Sequence, residues 1–148
     1  MMQRVYHISA GLSITRTVPA DANAAVTEGS TVSYEVKLTS KPLSAVTVTI
    51  AVSGGDLSVS APAADPHILT FNGDDWDTAQ TVTILVTDDK IDEGTGTHTA
   101  SWTATPSSDD PNYASATVTT TTSITIQDTT TGIYILYAYV YLHVCVRV

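Results

Sequence analysis

The residues that build long helices are scarce in this sequence. Glu, Lys, Arg and Gln are few, and no stretch sustains apolar residues at the three-to-four spacing of an amphipathic helix. Basic residues are scarce as well: six Lys and Arg face fifteen Asp and Glu, for a formal net charge of −9. Such a surface repels phosphate backbones, so no nucleic-acid partner is expected. The one cysteine, Cys145, cannot form an internal disulfide, which leaves the redox compartment open. As a small buried side chain it needs no special role, with an intermolecular bridge as the alternative. The opening MMQRVYHISAGLSITRT lacks the seven or more consecutive apolar residues of a secretory signal. An exported chain would then be already processed, begin further upstream, or leave by another route.

Catalytic patterns are also missing. His7, His67, His98 and His143 stand apart with no HExxH or comparable spacing, so a structural zinc has no support. GTGTH at Gly94 to His98 lacks the glycine spacing of a phosphate loop and leads into a strand pattern, not a helix. No GxSxG occurs, and the carboxylates cannot be told from turn acids, so no enzyme activity is expected. Asn23, Asn72 and Asn112 each lack Ser or Thr two residues on, so there is no N-glycosylation sequon. TVTTTTSITIQDTTT, Thr117 to Thr131, would carry O-linked sugars if exposed, but a strand with alternate Thr facing water accounts for it without them.

What is present is Thr, Val and Ile in alternation, which suits pleated, half-buried surfaces. Val32, Tyr34, Val36 and Leu38 share one face, with Ser33, Glu35, Lys37 and Thr39 on the other. Val46, Val48, Ile50 and Val52 repeat the pattern, as do Val82, Ile84 and Val86. Further strands are expected over Leu12 to Val18, Leu57 to Ser60, Leu69 to Phe71, His98 to Thr105 and Val118 to Ile126. Short strands at a spacing of roughly ten residues predict an all-β fold. Its expected form is an immunoglobulin-like antiparallel β-sandwich of about seven or eight strands. Trp102 reads as a core residue alongside Ala100 and Ala104, and Trp76 as a cap on the end of the core. The chain length suits one such domain, able to bury about two thirds of its unfolded surface.

The stretch from Leu69 to Asp128 carries Leu69, Phe71, Trp76, Gln80, Val82, Asp88, Asp89, Glu93, Gly94, His98, Asp109, Tyr113 and Asp128 in an order that resembles Calx-β repeats of large bacterial surface proteins. With VTEG at Val26 to Gly29 as the opening strand, the likeness spans roughly Leu12 to Asp128. It implies a seven-stranded sandwich that occurs outside the cell as one bead among many. The chain then divides into an arm over 1–11, a sandwich over 12–128 and a C-terminal strand over 129–148.

TDDKIDEG crowds Asp88, Asp89, Asp92 and Glu93 at the end of a strand. Their mutual repulsion would be relieved by a hard divalent cation with oxygen ligands at ~2.3–2.6 Å, which makes calcium the expected cofactor. The resemblance implies the ligands: Glu28, Asp88, Asp89, the backbone carbonyl of Ile91, Glu93 and Asp128. Thr129 and Thr130 stand where the family carries further acids, which favours one ion over a cluster. The plainer alternative is a solvated turn in which Asp88 or Asp89 bonds nearby N–H groups and Lys90 screens the rest. The acids at Asp74 to Asp77, and at Asp109 and Asp110, read as turns.

The last segment, IYILYAYVYLHVCVRV, has no acid and one Arg. As a helix Ile133 to Val148 would reach ~24 Å, short of a hydrocarbon core of about 30 Å, so a membrane anchor is not favoured. As a strand it reaches ~53 Å, longer than most sandwich strands. Ile133, Ile135 and Tyr137 oppose Tyr134, Leu136 and Ala138, so both faces are apolar at first. From Tyr139 the faces separate, with Val140, Leu142, Val144, Val146 and Val148 opposite Tyr139, Tyr141, His143, Cys145 and Arg147. An exposed strand of this kind invites pairing with another chain. We therefore expect Ile133, Ile135, Tyr137, Tyr139, Val140, Leu142, Val144, Val146 and Val148 to form an intermolecular strand. Copies would join head to tail into an extracellular filament, with the arm Met1 to Ile14 as a second candidate for the exchanged strand. Three other readings compete: an added strand of the parent sandwich, a misread gene end, and a calcium-dependent adhesive module of a cell-surface protein.

Overall fold

The computed structural model describes residues 9–90, 97–114 and 119–129. Among these the protein is all-β, with nine strands and no helix. They are β1 (Leu12–Val18), β2 (Val26–Thr27), β3 (Thr31–Leu38), β4 (Val46–Ser53), β5 (Leu57–Ala61), β6 (Ile68–Phe71), β7 (Gln80–Val86), β8 (Thr97–Ser107) and β9 (Thr120–Gln127). One sheet runs β1-β3-β7-β5 and the other β2-β9-β8-β4-β6, giving a two-layer sandwich.

Period-two alternation builds both layers. Val32, Tyr34, Val36 and Leu38 on β3 are buried, while Thr31, Glu35 and Lys37 are exposed. Val46, Val48 and Ile50 on β4 and Val82, Ile84 and Val86 on β7 do the same. Each such aliphatic side chain contributes about 1.5–3 kcal/mol when taken from water, before conformational entropy is charged against it. Trp102 and Tyr34 meet at the centre, with ring centroids 4.9 Å apart and planes tilted by 59°. Trp102 is fully buried between Ala100 and Ala104, as its strand face predicts. The Tyr34 hydroxyl and the Trp102 indole N–H are buried and have no partner in hydrogen-bonding geometry among the described residues. Burial raises the Tyr34 pKa above its ordinary value, opposed by the nearby indole N–H and the Arg16 charge. Trp76 is half-buried and packs on the end of this core, and its carbonyl accepts the Leu38 N–H at 2.9 Å.

Pairing is antiparallel throughout the described strands except at β2, which runs parallel to β9. The chain enters in one sheet as β1 and, after residues 19–25, joins the other as β2. That crossing is fixed locally: the Asp21 carboxylate accepts the Asn23 N–H at 2.9 Å, and Arg16 Nη1 donates to the Ala22 carbonyl at 3.0 Å. β2 pairs Val26 with Ile126 and Thr27 with Gln127. Because β1 and β2 are consecutive, the outer edges of β1 and of β9 bound the same side of the sandwich.

Candidate functional site

The loops segregate to two ends. At one end Glu28 follows β2, Asp88 and Asp89 follow β7, and Asp128 follows β9. Backbone bonds draw the three strand ends together: Glu28 N–H donates to Gln127 O at 3.2 Å, Gly29 N–H to Val86 O at 2.9 Å, and Val86 N–H to Ser30 O at 2.9 Å. Gly29 makes this turn with φ of 75°, in the left-handed region that a residue without Cβ enters freely. Asp56, after the β4 strand, joins the same end through its carbonyl, which accepts the Thr87 N–H at 2.8 Å.

The Glu28 carboxylate is half-buried against Asp128, with Asp88 also close enough to be felt. Desolvation, first, and then the Asp128 and Asp88 charges hold the Glu28 carboxyl above its ordinary value of 4.5; the Thr129 N–H, at 3.5 Å from Oε2, acts in the opposite sense. Asp88 behaves differently. Its Oδ1 accepts the Lys90 N–H at 3.1 Å, closing an Asx turn with Lys90 at φ of 65°, and its Oδ2 pairs with the Lys90 ammonium. Those contacts hold the Asp88 carboxyl below its ordinary value of 3.8.

Four of the six expected ligands, Glu28, Asp88, Asp89 and Asp128, thus come to one end of the sandwich, while Ile91 and Glu93 lie outside the described residues. Among the described residues no group of three or more His, Cys, Asp or Glu is arranged to hold a metal ion. Both oxygens of Asp88 contact Lys90. Glu28 lies beside Asp128 at this end, and a calcium ion takes six to eight oxygens.

The opposite end carries residues that read as a plain turn in the sequence. Asp110 is 1% exposed. Its Oδ2 accepts the Leu43 N–H at 2.7 Å, and its Oδ1 accepts both the Asn112 N–H at 2.9 Å and Asn112 Nδ2 at 3.0 Å. The Leu43 and Asn112 backbone bonds, in that order, hold the Asp110 carboxyl below its ordinary value of 3.8. Tyr113, fully buried, donates from Oη to the Ser40 carbonyl at 2.6 Å and accepts the Ser40 N–H at 3.2 Å. The resemblance had placed Asp109 at this point, but Asp109 is exposed and Asp110 is the buried acid. The signal lay in the spacing Ser108, Asp110, Tyr113: Ser108 Oγ receives the Asp110 N–H at 3.0 Å and bonds the Ala45 carbonyl at 2.8 Å.

The third feature is a sheet edge. β9 is paired with β8 along its whole length, but on its other side β2 covers only Ile126 and Gln127. Over Thr121 to Thr125 that outer side has no paired strand among the described residues. The intermolecular-strand residues Ile133, Ile135, Tyr137, Tyr139, Val140, Leu142, Val144, Val146 and Val148 lie outside the described residues. In the exchangeable N-terminal arm, Leu12 to Ile14 are taken up by β1, where they pair with Leu38, Lys37 and Val36 of the same chain. Among the described residues no helix is long and apolar enough to cross a membrane. A comparison with protein-family models finds no match for this chain, and a comparison with curated proteins finds none either.

Proposed function

We propose that the protein is an extracellular structural subunit, a Calx-β-like sandwich bead that polymerises head to tail through its apolar C-terminal strand. The observation that carries this reading is the position of β2. A tail following Asp128 would most directly turn back as a hairpin along β9, burying Ile133 and Ile135 beside Ile126. Those first rungs are already occupied, because Ile126 and Gln127 pair with β8 on one side and with β2 on the other. That disfavours a tight home hairpin at its start and supports pairing of the tail's aliphatic face with the sheet of another copy. A sister molecule supplies one in quantity. Backbone pairing would give strength and alternate side chains would give register.

Deleting Thr129–Val148 tests the reading by negative-stain microscopy and sedimentation. The full chain is expected to form fibres, and the shortened chain to become monomeric or unstable. Fibres from the shortened chain would contradict it.

A second reading, a calcium-dependent adhesive module, is favoured by the approach of Glu28 to Asp128 beside Asp88. A cation at that end would draw the two carboxylates together and compete with Lys90 for Asp88. Thermal melts check this: calcium should raise Tm in the parent and fail to do so in Glu28→Gln. Equal melts with calcium and with a chelator would leave the loop as a solvated turn.

A further inference from the structure

We infer that the surface receiving the tail is the outer edge of β9 from Thr121 to Thr125, on a second copy of the chain, with the tail segment Tyr139 to Val148 as its occupant. This rests on the strand-exchange reading above and adds the acceptor and the register.

The edge has the right construction. β9 is eight residues long, and among the described residues β2 covers only its final two on the outer side. Below β2 the backbone of Thr121 to Thr125 borders a side of the sandwich whose other margin is β1. Ala10, Leu12 and Ile14 at that margin pack on the core yet stay partly exposed. A strand laid beside β9 would place alternate side chains against these residues and complete their burial.

The faces also match. On β9 the core side carries buried Ile124 and half-buried Thr122, and the outer side carries exposed Thr121 and Ser123 with half-buried Thr125. Neighbouring strands put laterally adjacent residues on the same face. The aliphatic row Val140, Leu142, Val144, Val146 and Val148 therefore lines up with Thr122 and Ile124. The row Tyr139, Tyr141, His143, Cys145 and Arg147 lines up with Thr121, Ser123 and Thr125. A one-residue slip would turn the aliphatic row to water, so the register is restricted to steps of two.

The occupant is a second copy, not the parent tail. Chain outside the described residues resumes at residue 130, at the same end as Glu28, where β2 occupies the adjoining rungs of its own β9. Each copy then gives one tail and receives one on a different surface, which is a contact that propagates.

The sole cysteine makes the register measurable in the full-length protein. Facing cysteines on adjacent strands fall within disulfide reach, while a side chain on the opposite face does not. One of Thr121→Cys, Ser123→Cys and Thr125→Cys, the positions the allowed registers put opposite Cys145, oxidised mildly and run without reductant, should yield a reducible ladder of dimers, trimers and longer species through Cys145. Thr122→Cys, on the core face, and Thr15→Cys, on the β1 edge, should yield several-fold less. Circular dichroism of each variant checks that the sheets are intact. A ladder from Thr15→Cys and from none of those three would overturn the β9 assignment while leaving strand exchange standing. Loss of both thiols in a band of monomer size would show the tail docked at home and overturn both. Cross-linking of the parent through Cys145 alone into dimers would mark a two-fold contact and also overturn the proposal.

Discussion

The two ends of the sandwich hold acids in opposite conditions. At the end formed by the β8–β9 connection, Asp110 is buried and each of its oxygens receives N–H donors, while Tyr113 ties the same connection to Ser40. At the other end Glu28 faces Asp128 across a half-open site, and Lys90 is paired with Asp88. A carboxylate met by donors is held ionised and fixes the chain. One met by another carboxylate is pushed toward its neutral form and leaves the end in want of positive charge. The first end locks the fold; the second is the end at which the proposed cation would sit.

The largest effect should come from breaking the locked end. Tyr113→Ala removes a fully buried ring and is expected to lower stability by about 3–5 kcal/mol in urea unfolding. Tyr113→Phe keeps the ring but strands the Ser40 N–H and carbonyl, for about 1–3 kcal/mol. A Phe variant as stable as the parent would mean that the hydroxyl bonds contribute nothing net.

Asp110→Asn should lower Tm at neutral pH, since the amide cannot accept from Leu43 and Asn112 together as the carboxylate does. The folded pKa lies below the ordinary 3.8, so the Asp110 contribution is complete above about 3.8 and is lost as pH falls through the folded value. Parent and variant melts should therefore converge in acid. A gap that stays constant down to low pH would refute the charge-based part of the lock.

The opposite end should respond with the opposite sign and less strongly. The Glu28 carboxyl is raised above 4.5, so its ionised form costs stability, increasingly as pH rises from 4.5 through the folded value. Glu28→Gln is expected to leave stability unchanged or slightly improved at neutral pH, with the difference vanishing below about pH 4.5. A clear loss at neutral pH would show that Glu28 already has a favourable partner. The smallest effect is expected at Asp88 in high salt, because its pairing with an exposed lysine is screened by solvent and ions.

Much of this architecture is written in the sequence as alternation. β3, β4 and β7 were legible because one face of each is buried and the other wet, so Val and Ile trade places with Thr, Ser and charge. β2 was not legible as a separate parallel strand, since two residues cannot show a period and the parallel pairing depends on where β9 arrives. Asp110 was read as a turn acid because its neighbours Ser108, Asp109, Pro111 and Asn112 are turn residues. A partner that holds it, the Leu43 N–H, is distant in sequence. The carboxylates at the other end were found as a local crowd, yet it is the β-strand ends that bring Glu28 and Asp128 to Asp88. In the sequence Lys90 reads as a screen, and its double hold on Asp88 is visible only in the fold.

If copies join by the proposed strand exchange, the difference between the ends would give the filament a direction, from the acidic end of one copy to the β9 edge of the next. Sedimentation velocity of the full-length protein over a dilution series tests this most directly. The account predicts a broad, concentration-dependent distribution of species that grow without a fixed limit. A single sharp boundary at the mass of one chain, unchanged at the highest concentration, would contradict it.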